Sequence, residues 1–443
     1  MAQKSPSVKS TITRFQTSTE KFSGRAGLSL ISRYLESIGI TDRLASQFSF
    51  LKKNGKGTTL KSFFHQIICF FFDGTDFHMS RFDHLKEDGG YAGVIETPGE
   101  QMLSSHSAKR LFGSMSVVRV WLLRKVLKQL FLWRLSIEQP EVIKLGIDTM
   151  VMDNDDALKR EGVEPTYKKV KGFQPLQVYW GRYLIDAIFR NGKAHSNHGN
   201  HVVRVVSDLV RLIRREYRDD IPIIFVADTG FFDQQLFYHC EQLKVGLIVG
   251  GKMYQDIRPI ISETEPEYYT TFSKGRQQWL YTEFGDRRKT WDRFFRTIFT
   301  KPLTEEDGQI IFEFDRPETL IYTNIGMNTA ITAQLAEKEP EFISAESIIC
   351  TYHERARDEL VNRALKNFGT EHLPFKRFSS NAFYYYMMCI SFFLFESFKH
   401  DIDSPAVPVT WYAESFRRKL LDFAGQIVHS GRQIILKLSL IHI

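Results

Sequence analysis

Two apolar, strand-prone segments of this 443-residue chain each carry a lone carboxylate at or near their end. Val142–Met152 is interrupted only by Lys144 and Asp148, and Ile221–Ala227 is followed directly by Asp228. Neither acid has a basic neighbour in the sequence, and it is costly to take an unpaired carboxylate out of water. A metal ion, a shared proton or a charge from a distant segment would offset this cost. Each acid alone is equally compatible with a hydrogen-bonded structural Asp.

The order of predicted elements around these two segments is typical of an α/β protein. Strand-like residues 175–188 and an amphipathic helix at Asn200–Tyr217 lie between the two acid strands. Residues 256–332 then form short runs rich in Tyr, Trp, Phe and Thr. We predict five strands in this stretch, at Tyr268–Phe272, Gln278–Thr282, Phe294–Phe299, Ile310–Phe314 and Thr319–Thr323.

Helical patterns dominate both ends of the chain. The predicted amino-terminal helices are Leu28–Ser37, Asp42–Gln47, Leu60–Phe72, Ser104–Met115 and Val117–Leu135. Later helices are predicted at Glu346–Asn367 and Asn381–Lys399, with a last basic helix from Ser415. The patterns divide the chain into a helical region (1–140), two α/β segments (141–255 and 336–400) around a β-rich insertion (256–335), and a helical end (401–443).

The positive charge of the chain is concentrated at its amino-terminal side. Residues 1–140 contain 20 Lys and Arg against 11 Asp and Glu, whereas the net charge of the whole chain is only +7. A basic module joined to a nearly neutral body favours a polyanionic partner, most often nucleic acid. A solvated basic surface would give the same charge distribution.

Two further features predict a cytoplasmic protein with no membrane partner. The four cysteines are scattered singly, which makes a disulfide framework or a Cys-rich zinc site improbable. The longest apolar stretch, Phe383–Phe398, has 16 residues and contains Glu396. Because a membrane span needs about 20 apolar residues, we interpret this stretch as a buried helix.

A third acid belongs to a polar stripe in the predicted helix Glu346–Asn367. Tyr352, Arg355, Glu359 and Lys366 fall within a sector about 60° wide on one face of a regular helix. An acid, two cations and a phenol aimed in one direction are compatible with a functional site. Without further context, a solvated charged face is the simpler interpretation.

These four residues match the spacing Tyr-x2-Arg-x3-Glu-x6-Lys, which resembles the signature of a large group of bacterial insertion-sequence transposases of the DDE type. The segments Ile147-Asp148-Thr149 and Ala227-Asp228-Thr229-Gly230 resemble the first and second acid motifs of that group. The resemblance extends from about Gly24 to Leu438. Each motif alone is weak, but their order and spacing together are specific.

The resemblance implies an α/β fold, with an RNase H-like mixed-sheet catalytic core that a β-rich insertion interrupts and an all-helical DNA-binding region precedes. It implies a catalytic triad of Asp148, Asp228 and Glu359 that binds two Mg²⁺ ions, for which Mn²⁺ can substitute. It further implies cut-and-paste transposition, with cleavage at the element ends, a DNA hairpin intermediate and joining to target DNA.

The resemblance also implies the DNA contacts and the partners of the chain. Arg355 and Lys366 are expected to hold DNA phosphates, and Tyr352 to pack or hydrogen-bond along the same strand. The expected partners are the terminal inverted repeats, the target DNA and a second copy of the chain in a nucleoid-associated synaptic complex. Similar enzymes hold a flipped base on an aromatic residue of the insertion, but Trp279 and Trp291 match no motif and are better explained as packing residues.

Three other functions compete with this prediction. Asp228-Thr229-Gly230 matches the loop of an aspartic protease, but the chain lacks the second such loop that the shared proton requires. A DNA-binding protein that has lost its cleavage activity is disfavoured, because all three acids and the two cations of the stripe, Arg355 and Lys366, are present. A metal-dependent DNA nuclease would use the same acids, and would be distinguished by the absence of a strand-transfer product.

Overall fold

A computed structural model of the protein describes residues 12, 14–52, 57–157, 159–194, 200–275, 277–306, 309–312, 318–402 and 407–438. Within these residues no helix is long and apolar enough to cross a membrane.

Seven helices form the amino-terminal region in the part of the chain described. They are α1 (Leu28–Ser37), α2 (Ile40–Gln47), α3 (Leu60–Asp73), α4 (Arg81–Glu87), α5 (Gly89–Val94), α6 (Ser105–Gly113) and α7 (Val117–Glu138). Thr59, Ser104 and Ser116 cap α3, α6 and α7 by accepting a backbone N–H bond, as small hydroxyl residues commonly do. A short strand, β1 (Lys21–Ser23), precedes the helices, so the prediction of an all-helical region is wrong at this point.

The middle of the chain forms a mixed sheet flanked by helices. Its elements in chain order are β2 (Ile143–Thr149), β3 (Met152–Asp153), β4 (Glu164–Pro165), β5 (Lys171–Phe173), β6 (Leu176–Trp180), β7 (Tyr183–Ile188), α8 (His201–Glu216), β8 (Ile223–Ala227), α9 (Gln234–Gln242) and β9 (Gly246–Gly251). The spatial order of the main strands is β7-β6-β2-β8-β9. Strand β6 pairs antiparallel with both β7 and β2, and β8 and β9 run parallel to β2. This order and direction confirm the predicted RNase H-like mixed sheet.

The β-rich insertion continues this sheet. It contains α10 (Ile257–Glu263), β10 (Thr270–Lys274), β11 (Gln277–Asp286), β12 (Phe295–Glu306), β13 (Gln309–Phe312) and β14 (Thr319–Thr323). Each predicted strand of this stretch overlaps one of the observed five. Because β14 pairs antiparallel with β9, the insertion extends the core sheet to ten strands.

The chain then returns to helices. These are α11 (Ala330–Lys338), α12 (Ala345–Glu354), α13 (Ala356–Phe368), α14 (Phe378–Asp401) and the single turn α15 (Ala413–Phe416). Helix α14 packs against α7, α3 and β7, and nearly all of its residues are buried. The buried carboxylate of Glu396 pairs with Lys399 at 2.7 Å inside the protein. The prediction of a buried helix is therefore confirmed.

The carboxy-terminal segment differs from the prediction. The basic helix expected from Ser415 ends after one turn of π-helix at Arg417–Leu421. A hairpin of β15 (Gly425–Ser430) and β16 (Gln433–Leu438) follows, and β15 pairs with β1. Gly431, with φ +61°, lies in the two-residue turn, where positive φ favours glycine. The β-branched residues that precede and follow this turn favour a strand over a helix.

Candidate active site

The two strand acids lie side by side at one edge of the sheet. Ile147 on β2 is in register with Ala227 on β8, and the two strands are parallel neighbours. Asp148 is the next residue of β2 and Asp228 directly follows the end of β8, so both acids follow the same register position. The parallel pairing of β2 with β8 therefore places the two carboxylates next to each other.

Asp148 is buried and held by two hydrogen bonds. Its carboxylate accepts one from the backbone N–H of Thr149 at 2.7 Å and one from the side-chain amide of Asn362 on α13 at 3.2 Å. Burial raises the pKa of Asp148 to about 6, and the charges of Asp228 and Glu359 act in the same direction. The site thus holds negative charge that the surrounding protein compensates only in part.

Asp228 lies at the start of a short 3₁₀ turn, Thr229–Phe231. Its carboxylate accepts a hydrogen bond from the backbone N–H of Gly230 at 2.9 Å. Burial raises the pKa of Asp228, the charge of Arg355 lowers it and that of Glu359 raises it. The charges of Glu359 and Arg355 therefore both affect the pKa of Asp228.

The polar stripe does not lie on one continuous helix. The regular hydrogen bonding of α12 stops at Glu354, and Arg355 links it to α13 through bonds to Tyr352 and from Asp358. Tyr352 therefore belongs to the helix before the break, whereas Glu359 and Lys366 belong to the helix after it. The predicted helix Glu346–Asn367 is therefore interrupted at Arg355, although Arg355 keeps right-handed helical angles of φ −55° and ψ −26°.

The structure brings Glu359 and Arg355 to the two strand acids. Glu359 is exposed on the first turns of α13, and its charge acts on Asp148 and Asp228. Arg355 lies over the ring of Tyr352 at 5.8 Å, and its Nε is buried with no hydrogen-bond partner among the described residues. Carboxylates and one cation thus face a common site.

Tyr352 and Lys366 are placed differently. Tyr352 is only 8% exposed, and its hydroxyl lies beside Thr229 and close to Gly250 at the end of β9. Lys366 forms an ion pair with Glu371 at 2.7 Å. The tyrosine is therefore a buried part of the site wall, and the lysine has an intramolecular partner in this structure.

A fourth carboxylate, that of Asp358, lies next to the triad and was missed in the sequence. Its side chain is buried against Gly146 on β2, where an added Cβ would lie 2.0 Å from Asp358 Oδ2. Burial and the charge of Asp148 raise the pKa of Asp358 to about 7. Gly146, two residues before Asp148, is the one local signal in the sequence, because a glycine within a strand often marks the close approach of another group.

We expect Gly146→Ala to disturb the acid site, because the new methyl group would displace the Asp358 carboxylate and with it the start of α13. Overpacking of this kind typically costs about 1–3 kcal/mol of unfolding free energy. Urea unfolding measures the stability, and DNA cleavage by the same preparation measures the effect on the site. Gly113→Ala is the matched control, since nothing lies within 4 Å of its added Cβ. Unchanged stability and cleavage in Gly146→Ala would contradict the close contact.

The two candidate aromatics of the insertion are packing residues. Trp279 stacks on Phe272 and His353, and Trp291 packs against Phe232 and Phe295. Both indoles are buried. The interpretation favoured from the sequence is confirmed for both.

Comparison with known proteins identifies the family. The model of the family described as "Transposase DDE domain group 1" matches residues 5–442. The chain belongs to this family of DDE transposases. It is accordingly a DNA-cleaving enzyme that acts in transposition, and DDE transposases use divalent metal ions. The match does not test the narrower Tyr-Arg-Glu-Lys subgroup, which stays a prediction.

Two further comparisons add little to this assignment. No curated protein sequence matches the transposase. A solved structure titled a piggyBac transposase synaptic complex with hairpin DNA matches with a TM-score of 0.40 and 12% identity. The match covers 90% of this chain and 81% of that one.

The donor groups of the site fit a hard divalent cation. All of its candidate ligands are carboxylates, and one buried oxygen, Oδ2 of Asp358, has no hydrogen-bond partner among the described residues. Within the same residues no three His, Cys, Asp or Glu side chains converge closely enough to enclose one ion. Mg²⁺ commonly takes only one or two protein carboxylates and completes its shell with water and phosphate oxygens, so this spacing is compatible with it.

Proposed function

We propose that this transposase cuts the ends of its own insertion sequence and joins them to target DNA in a cut-and-paste reaction with a DNA hairpin intermediate. A homodimer, with each subunit acting on one end, is part of the proposal. The observation that carries it is the placement of Asp148 and Asp228 at the ends of adjacent parallel strands, with the charge of Glu359 acting on both. The proposed reaction is a series of phosphoryl transfers at this one site.

In this proposal Asp148, Asp228 and Glu359 hold two Mg²⁺ ions, for which Mn²⁺ would substitute. When bound, such a pair of ions stabilises the attacking and leaving oxygens of an in-line displacement. The hydrogen bonds from Thr149 and Asn362 fix the orientation of the Asp148 carboxylate before DNA arrives. Held in this way, the acid loses little conformational freedom when it binds its cation.

Arg355 is proposed to bind the phosphate next to the cleaved bond. Its unpaired, buried Nε and its position beside the acids support this role. Arginine also presents a planar donor fork that suits phosphate oxygens. Lys366 is proposed to exchange its partner Glu371 for a neighbouring DNA phosphate.

Tyr352 is proposed to act mainly by positioning Arg355 and the Asp228 turn. Its ring lies under the guanidinium, and its hydroxyl lies beside Thr229, the residue that follows Asp228. Because so little of this side chain is exposed, any DNA contact is confined to the edge of its ring.

The test is incubation of the purified full-length protein with a plasmid that carries the DNA flanking its own gene, with Mg²⁺ or with EDTA. We expect Mg²⁺-dependent release of the element, hairpin-capped ends that migrate as closed strands on denaturing gels, and joined product. Mn²⁺ in place of Mg²⁺ is expected to support the same products.

The other outcomes select the competing functions. Cleavage without joining would favour a nuclease, and binding without cleavage would favour a DNA-binding protein that has lost activity. Joining without hairpin-capped ends would retain the transposase and exclude the hairpin intermediate.

We expect Arg355→Ala to weaken both DNA binding and cleavage. Loss of one phosphate contact on duplex DNA should reduce the slope of log affinity against log salt by about 0.9. Binding measured by fluorescence anisotropy over a range of KCl concentrations gives this slope. Arg357→Ala is the control, because the Arg357 side chain is exposed and its charge acts on Glu354, not on the strand acids. An unchanged slope for Arg355→Ala would refute the phosphate contact.

A further inference from the structure

A small hairpin carries an exposed tyrosine to the acid site. Strand β3 follows β2 after two residues, and it pairs with β5, which in turn pairs with β4. The turn between β4 and β5 contains Tyr167, which is 62% exposed. Partial burial and the charges of Asp148, Asp228 and Glu359 raise the pKa of its phenol. The hairpin is joined to the end of β2 by the two residues after Thr149, and the charges of all three acids act on Tyr167 at its tip.

Three hydrogen bonds close the turn at this tip. The backbone N–H and the hydroxyl of Thr166 both donate to the carbonyl of Val170, at 2.9 and 2.8 Å. The N–H of Lys169 donates back to the carbonyl of Thr166 at 3.0 Å, with Lys169 in the left-handed region at φ +63°. A large aromatic ring is thus presented to solvent on a rigid turn, which packing within the chain does not require.

The residues around this tyrosine are basic. Lys168, Lys169 and Lys171 are exposed, and none of them forms an ion pair with a described residue. The ammonium of Lys168 lies 5.9 Å from the centre of the Tyr167 ring. Exposed lysines that form no ion pair with a described residue suit a ligand that carries its own negative charge.

We propose that Tyr167, Lys168 and Lys169 form a binding site for a single DNA strand, in which the tyrosine ring stacks on an unpaired base and the lysines contact the adjoining phosphates. A rigid aromatic flanked by cations is the usual platform for single-stranded nucleic acid, because every base offers a flat face. The site rests on the proposed function, since it would hold the strand whose phosphate lies at Asp148 and Asp228. It adds a base contact outside the predicted triad and the Tyr-Arg-Glu-Lys residues.

The experiment uses a 12-nucleotide oligo-dT that carries one 5-iodouracil, bound to the full-length protein in EDTA. We expect irradiation to cross-link Tyr167, identified by peptide mapping, and Tyr167→Ala to lower affinity about tenfold, while Tyr167→Phe keeps it. Lys168→Ala and Lys169→Ala should each reduce the salt slope by about 0.7. Tyr268→Ala and Lys289→Ala, which replace exposed residues outside the hairpin and outside residues 1–140, are the matched controls and should behave as wild type.

The outcomes distinguish failure of the proposed binding site from failure of the proposed transposition reaction. Wild-type affinity in Tyr167→Ala with no cross-link at Tyr167, or no oligo-dT binding by the wild type, would overturn the site. A cross-link at Tyr167 in a protein that neither cleaves nor joins plasmid DNA would keep the site and reject the reaction. Each replaced side chain is exposed, so we expect the variants to fold as the wild type does. Thermal unfolding of each variant checks this.

Discussion

Asp148→Asn is expected to lower metal-dependent cleavage of element ends by about a thousandfold or more. The substitution keeps the size of the side chain and removes the charge that holds the cation. Loss of several kcal/mol of transition-state stabilisation corresponds to such a factor, at about 1.4 kcal/mol for each tenfold change in rate. Asp228→Asn and Glu359→Gln should have the same effect, because all three acids face one site.

The measurement is single-turnover cleavage in Mg²⁺, with DNA binding followed separately by anisotropy. Binding should persist in all three variants, since carboxylates repel phosphates and do not anchor DNA. Asp156→Asn is the matched control, because this acid lies in the loop after β3 with its side chain 76% exposed. A wild-type cleavage rate in any one triad variant would remove that residue from the catalytic set.

The same substitution separates chemistry from folding. Without a cation, the buried charge of Asp148 faces the like charges of Asp228 and Glu359. Its removal should therefore leave the thermal midpoint unchanged or raise it, although activity is lost. A large fall in the midpoint would instead mean that the Asp148 carboxylate supports the fold.

Removal of one partner from the buried pair of Arg124 and Asp186 is expected to have the largest effect on stability. The guanidinium on α7 donates to both oxygens of Asp186 on β7, at 2.8 and 2.6 Å, and the acid is completely buried. Arg124→Met or Asp186→Leu leaves a charge without its main partner inside the protein. Such changes cost about 3–5 kcal/mol of unfolding free energy.

The double variant Arg124→Met with Asp186→Leu provides the sharpest control, since replacing both charges by apolar groups is often neutral or stabilising. We expect urea unfolding to show recovery of most of the lost stability. Lys125→Met, at an exposed position on the same helix, should stay within about 0.5 kcal/mol of wild type. Single variants as stable as the wild type would show that the pair does not join the helical region to the sheet.

This pair also changes the meaning of the amino-terminal charge. The basic excess predicted a polyanion partner, yet three of the cations on α7 are occupied within the chain. Arg124 and Lys128 contact Asp186, and Arg134 pairs with Glu138 and Asp401. Their partners lie mostly in the catalytic and carboxy-terminal segments, so part of the charge joins regions of the protein and is not available to DNA.

Most of the elements could be predicted because their signals are local. The helix Leu28–Ser37 and the strand Thr319–Thr323 have the predicted bounds, since apolar periodicity and turn residues act over a few neighbours. The carboxy-terminal hairpin was missed although β15 and β16 pair locally across the turn at Gly431, because the basic residues from Arg417 were interpreted as one helical face. Only the pairing of β15 with Lys21–Ser23 joins distant parts of the chain. A basic amphipathic pattern there does not reveal that partner.

The candidate site divides in the same way. The sequence by itself singled out Asp148 and Asp228 and the strands beside them, because a lone carboxylate in an apolar run is visible without a fold. Glu359 was predicted from the spacing of the polar stripe and its resemblance to a transposase signature. Only the tertiary structure decided that the helix is interrupted at Arg355, that Asp358 is buried against Gly146 and that the charges of the acids act on Tyr167. Those features depend on contacts between segments far apart in the chain. The burial and the charge interactions that these contacts create cannot be predicted from the spacing of residues within one segment.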